Sequence, residues 1–246
     1  MILDNISRAL KEQNWLAAGI EFVIVIFGVV IGFQINAWNE GRLERQLEGE
    51  YFYRLEVELS AVIEDLNNAQ AAMDAYFNWI TLFLEGVEES DPEKAQAGSW
   101  GLNAITSVEL VSLEPAALRE MISAGNLTIV QNRELRSDLA SIPQLQSRSQ
   151  AKLEQMAMDL STAAQEISQR FDARLEDVAD FAEGAFDEYT LQFDFDEVSG
   201  NEVFLNRLNY AALQNRFQAA HFARHRARIE AIQGRLRNEI ARQGRQ

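Results

Sequence analysis

The chain has 246 residues, 38 Asp or Glu against 22 Lys or Arg, a formal net charge of −16 and no cysteine. That balance argues against general nucleic-acid binding, and the missing thiols exclude disulfides and thiolate chemistry. Only three prolines interrupt a composition rich in Leu, Ala, Glu, Gln and Arg, so an all-α fold is expected.

Residues 1–14 place Ile2, Leu3, Ile6 and Leu10 on one helical face, which predicts a short amphipathic segment lying at a membrane interface. Residues 15–38 read as a transmembrane helix. The run at 16–35, LAAGIEFVIVIFGVVIGFQI, rises about 30 Å as α-helix, the thickness of a bilayer's hydrocarbon core. Trp15 and Trp38 bracket it where an interfacial aromatic belt sits. The run is too long for a cleaved signal peptide, and Ile35-Asn36-Ala37 is a poor small-x-small cleavage site. At about 100° per residue, Glu21, Val25, Gly28, Gly32 and Asn36 share one stripe. Gly28 and Gly32 form a small-xxx-small pair that lets two helix backbones approach, so this stripe is the expected transmembrane helix–helix contact. Glu21 is the one full charge in the run. A second reading makes it a proton-accepting group in an ion-driven or sensory membrane complex.

Residues 39–246 predict one elongated, antiparallel helical bundle that continues the anchor helix. Leu43, Leu47, Tyr51, Leu55, Leu59, Val62, Leu66, Met73, Phe77, Ile80 and Leu84 recur mostly at spacings of three and four, with a helix end near Gly86. Tyr76, Phe77, Trp79 and Phe83 are expected core aromatics. Residues 88–101 read as a loop carrying acid, Pro92 and glycines. Pro115 opens a short helix that Gly125 closes, residues 127–130 form a brief extended turn, and Asn132 caps the next helix. Pro143 should kink or break that helix, which then resumes to about Phe181. Alternation through Tyr189, Leu191, Phe193 and Phe195 marks the one candidate strand. Asp194, Asp196 and Glu197 beside it lack the EF-hand register and are expected to be a solvated acidic loop.

Ser199 or Asn201 caps a last helix of some forty residues, with Phe204, Leu208, Ala211, Phe222, Ile229, Ile232, Leu236 and Ile240 as its buried stripe. From residue 216 onward there are eight arginines against two glutamates, which leaves −22 for the rest of the chain. If this helix runs antiparallel to the first, Arg224, Arg226, Arg228, Arg235, Arg237 and Arg242 return towards the bilayer. There they would pair with Glu44, Glu48, Glu50 and Glu56 or meet anionic headgroups. His221 and His225 stand at i, i+4, a spacing that can put two ligands on one metal. No HExxH pattern accompanies them and the neighbouring arginines would repel a cation, so they are expected as surface or seam residues with no metal and no cofactor. No nucleophile elbow, phosphate loop or dinucleotide fingerprint occurs.

Two stretches, GIEFVIVIFGVVIGFQINAWNE at 19–40 and LREMISAGNLTIVQNRELRSDL at 118–139, resemble a family of bacterial single-pass membrane proteins grouped under a domain of unknown function. That family reads GEI, an apolar run and QINNWNE, then a later S-G-x-L-x-x-I-x-N-x-E-L-R block. This chain departs from it at Ile20-Glu21-Phe22, where the family has Gly-Glu-Ile, and at Ala37, where it has a second Asn. The resemblance implies a membrane anchor and a helical domain and supplies no reaction. By the family's basic amino-terminal flanks it also implies a cytoplasmic amino terminus and a domain outside the bacterial inner membrane. The combined expectation is a non-catalytic, membrane-anchored interaction or scaffold protein. Its expected partners are membrane lipid and either copies of itself or an unidentified membrane protein, with no nucleic acid.

Overall fold

A computed structural model describes residues 15–103, 108–168 and 193–244. The amphipathic segment expected at 1–14, the far end of the helix expected to reach Phe181 and most of the candidate strand lie outside these residues. Among the described residues all regular structure is helical and no strand occurs. The chain divides into two compact units, Met1–Glu50 and Tyr51–Gln246. Helix α1, Trp15–Glu88, is one unbroken element of 74 residues; its first part belongs to the amino-terminal unit and its part from Tyr51 to the second. The weak breaker Gly41 does not interrupt it, as the periodicity predicts.

In the second unit α1 is followed by α2 (Pro92–Gly98), α3 (Trp100–Asn103), α4 (Ala116–Ser123), a 3₁₀ turn (Asn126–Ile129), α5 (Arg133–Ser168), α6 (Phe195–Ser199) and α7 (Glu202–Gln243). Contacts fix the directions of the three long helices. Moving along α7, Phe204 stacks edge-on to Phe83, Arg216 bonds Asp74, Arg226 bonds Asn67, Gln233 bonds Ser60 and Arg237 bonds Glu56. The numbers rise on α7 as they fall on α1, so these two helices are antiparallel. The same test on His221–Ser149, Arg228–Asp138 and Glu239–Asn132 makes α5 antiparallel to α7 and parallel to α1. The expected stripes supply Leu55, Leu59, Leu66, Met73 and Ile80 from α1 and Leu208, Phe222, Ile229 and Leu236 from α7, and α5 adds Leu135, Leu139 and Leu153 to the core. Each fully buried Leu or Ile contributes about 1.5–3 kcal/mol relative to exposure. Leu43, assigned to the same stripe, lies in the amino-terminal unit and is 53% exposed.

The local signals act as their chemistry requires. Asn132 Oδ1 accepts the amides of Glu134 and Leu135, and Asn201 Oδ1 accepts that of Phe204, each capping a helix start. Gly125 takes a left-handed φ of 73° just past α4, which it closes. Pro115 offers no capping oxygen, and Glu58 of α1 accepts the Ala117 amide instead, at 2.8 Å. Four expectations fail. Residues 127–130 are mostly the 3₁₀ turn. Pro143, expected to kink or break its helix, sits inside α5, so the break does not occur. Phe195, expected in a strand, begins helix α6, because Asp194 caps the amides of Asp196 and Glu197 while Phe193 turns onto Phe83.

The fourth failure is the loop expected at 88–101. Asp91 accepts the amides of Glu93 and Lys94, and Pro92 occupies the first helical turn, so the stretch becomes α2 and α3. The glycines that look like breakers are contact points. A Cβ on Gly86 would overlap the Ala95 backbone, one on Gly98 the Phe83 backbone, and one on Gly101 would lie 2.5 Å from the Ile80 nitrogen. Gly98→Ala should therefore destabilise the second unit by about 1–3 kcal/mol through overpacking. Gly234 lies in the interior of α7 with open space around a Cβ, so Gly234→Ala should stabilise it by about 0.5–1 kcal/mol. Thermal unfolding of the two variants in detergent reads both signs, and a neutral Gly98→Ala would contradict the packing described here.

Candidate functional site

The first candidate is the apolar segment of the amino-terminal unit. Every residue from 19 to 40 is exposed. Ile24 is 64% exposed, Phe27 61%, Phe33 73% and Trp38 71%. This helix is long and apolar enough to cross a membrane. Residues 16–35 include 13 Val, Ile, Leu or Phe, worth about −4 to −8 kcal/mol together on insertion scales. A charged Glu21 opposes this by at most about 2.5–3.5 kcal/mol at mid-membrane and by less near the edge, so partition into lipid wins. Nothing lies within 4 Å of a Cβ built on Gly28 or Gly32, which leaves the stripe through Glu21, Val25, Gly28 and Gly32 open along its length. Asn36, at the end of that stripe, donates its amide to Glu40 Oε1 at 2.8 Å within the same helix. Trp15 begins α1.

The second candidate is α7, where the arginines bind carboxylates and amides of the bundle. Arg228 and Arg235 both donate to Asp138 of α5, Arg237 donates to Glu56 at 3.0 Å, and Arg226 donates to Asn67 at 2.5 Å. Arg242 donates to Glu239, which also takes the Asn132 amide. Arg216 pairs with Asp74 and covers the Phe77 ring. Of the acceptors expected from the sequence Glu56 takes its arginine. Asp138, Asp74 and Asn67 carry no local signal, because each meets its partner across 90 residues or more.

Between these pairs lies the histidine cluster. His221 is 6% exposed and Ser149 is 3% exposed. Ser149 Oγ lies 2.9 Å from His221 Nε2, and His225 Nε2 lies 3.1 Å from that same nitrogen. A serine nucleophile needs its base oriented through the other ring nitrogen, whereas here both partners converge on one. Burial, reinforced by His225, Lys152 and Arg224, pushes the His221 imidazole down to about 4. Burial and Arg224 push His225 down as well. Near neutral pH both rings are uncharged, and of the two facing Nε2 atoms one is bare and accepts while the other donates, as their tautomers decide. No group of three or more His, Cys, Asp or Glu that can hold a metal occurs among the described residues.

The segment at 108–115 runs between the long helices, tied by Leu113 N–H to Gln146 and by Gln218 to the Glu109 carbonyl. A groove of about 460 Å³ lies on one side of it, against Asp65, Asn68 and Ala72, and one of about 320 Å³ on the other, against Gln146 and Gln150. Neither reaches the histidines. The chain matches no known protein-family model, no curated protein and no solved structure.

Asp138 is 7% exposed and serves two guanidinium groups that are themselves about half exposed. Asp138→Ala should cost about 1–3 kcal/mol, since both arginines lose a charged acceptor but can still turn to water. Asp74→Ala, which removes a solvent-facing pair, should cost about 1 kcal/mol or less. Urea unfolding midpoints of the two variants should differ in that order.

Proposed function

We propose that this protein is a membrane-anchored helical interaction module that self-associates through its amino-terminal helix. The observation that carries the reading is the uncovered apolar segment: more than twenty consecutive exposed positions, with Gly28 and Gly32 aligned on one face. In water such a surface aggregates, and in lipid it is at its lowest free energy. Lipid tails are as apolar as the helix, so pairing in the membrane depends on close backbone packing, which the two glycines allow. On this reading the second unit is a non-catalytic scaffold. Its α7 arginines act within the bundle more than on headgroups, because five of the six proposed as membrane-proximal have a protein partner. The resemblance of residues 19–40 to bacterial single-pass anchors favours an inner-membrane location with the amino terminus in the cytoplasm. In detergent, Gly28→Leu and Gly32→Leu should shift the full chain towards monomer by analytical ultracentrifugation. Unchanged association in both variants would remove the self-association.

A second reading rests on Glu21, an exposed acid within the apolar run. As an accessory subunit of an ion-driven or sensory complex, the protein would use that carboxyl for coupling. Glu21→Gln would then abolish its activity in cells while membrane insertion and abundance stay at wild-type levels. Full activity of the Gln variant would dispose of the coupling role.

A further inference from the structure

His221 and His225 are the only histidines in the chain, and they meet at the α5–α7 contact, His221 buried and His225 partly buried. We propose that this pair is an acid-operated latch: it holds α5 against α7 while at least one Nε2 is bare and releases them when both nitrogens carry a proton. The geometry gives the rule. With both rings neutral, His221 Nε2 can accept from the Ser149 hydroxyl at 2.9 Å and from His225 Nε2–H at 3.1 Å. A first proton, placed on His225, leaves that arrangement intact, because a cationic His225 still donates through Nε2. A second proton sets two N–H groups head to head at 3.1 Å, one on the buried His221 and one on the partly buried His225. The Ser149 oxygen can take the His221 N–H at 2.9 Å, but that leaves the contact between the two rings unrelieved.

The surroundings do not relieve that charge. From α5 the pair faces Ser149 and Lys152, and from α7 it faces Arg224. Further along α7, Arg228 is already committed to Asp138. On α1 the level is marked by Asn67, which holds Arg226, with Glu64 and Asp65 exposed on the same turn. Glu109 of the segment at 108–115 reaches this region through its backbone carbonyl, bonded to Gln218. Lys152 and Arg224 lower His221, and among the described residues no carboxylate raises either ring.

The sign follows from linkage. The folded-state pKa of each imidazole lies below the unfolded value of about 6.5. Their contribution to stability is therefore complete above that pH and is lost as pH falls towards the folded value, about 4 for His221. Each proton excluded by the folded state raises the open fraction by up to roughly tenfold per pH unit in that window.

The test uses the full chain, without an added histidine tag, in detergent micelles. Imidazole Cε1 resonances report both residues without overlap, while amide hydrogen exchange in α5 and α7 reports opening. The latch requires two separated titrations, His225 first, with exchange around Ser149 and His221 rising in step with the second. In His225→Gln the second positive charge is missing, so the exchange rise tied to it should disappear while general acid unfolding persists at lower pH. Two rings that titrate together near 6.5, or a His225→Gln variant that opens over the wild-type pH range, would overturn the proposal. If that variant does not fold, the wild-type titration alone decides.

Discussion

Asp138 takes guanidinium hydrogen bonds from Arg228 and Arg235, two turns apart on α7, and so sets where α5 begins to run along that helix. The same α7 is held to α1 by Arg216 at Asp74 and Arg237 at Glu56. An antiparallel trio built only of Leu, Ile and Phe layers can slide by a turn at modest cost, because one apolar residue replaces another of similar size. Charged contacts at fixed heights along α7 remove that freedom. A one-turn slip would leave the nearly buried Asp138 without its partners, which costs more than the contacts themselves are worth. The uneven charge of the chain has the same origin. The last helix is basic because both helices it lies between present acids to it.

Polar groups inside the bundle extend the argument to hydrogen bonding. Gln233 reaches the Ser60 hydroxyl at 2.6 Å and the Glu56 carbonyl from a position that is 5% exposed. Ser149 and His221 do the same between α5 and α7. Asn215 is 1% exposed, with neither side-chain atom bonded to the protein. Burying an unbonded amide costs about 1–3 kcal/mol. The interior is therefore selective in register at some expense in stability.

Much of this was legible in the sequence. Residue periodicity located α1 and α7 and most of their large buried apolar residues, though not Phe52 or the buried polar Asn215, Gln218 and Gln233, and Asn132, Asn201 and Gly125 marked helix ends because capping is a local interaction. What the sequence hid was non-local. Asp138 looks like any other acid in an acidic chain until α7 is laid beside it. Gly86, Gly98 and Gly101 carry the same letters whether they break a helix or let two backbones touch, and only the partner tells which. Phe193 and Phe195 alternate as strand residues do, yet Asp194 between them caps a helix. Of the site residues, the exposed anchor stripe could be written down from spacing alone. The Ser149–His221–His225 cluster could not, since nothing in residues 145–153 points to a histidine 72 positions away.

The four tryptophans fall into two pairs with different optical environments. Trp15 and Trp38 flank the apolar run in the sequence, where an interfacial aromatic belt is expected. Trp79 and Trp100 have ring centroids 6.0 Å apart at 49°, held there by the close approach of α2 and α3 to α1 that the glycines permit. Two indoles at that distance and tilt couple their electronic transitions, so this pair carries a near-ultraviolet dichroism signature of its own. Trp38 of the other pair is 71% exposed, so its emission responds to whatever surrounds the apolar run. One chain thus contains separate intrinsic chromophores for its anchor and for the packing of its helical unit, distinguishable without any added label.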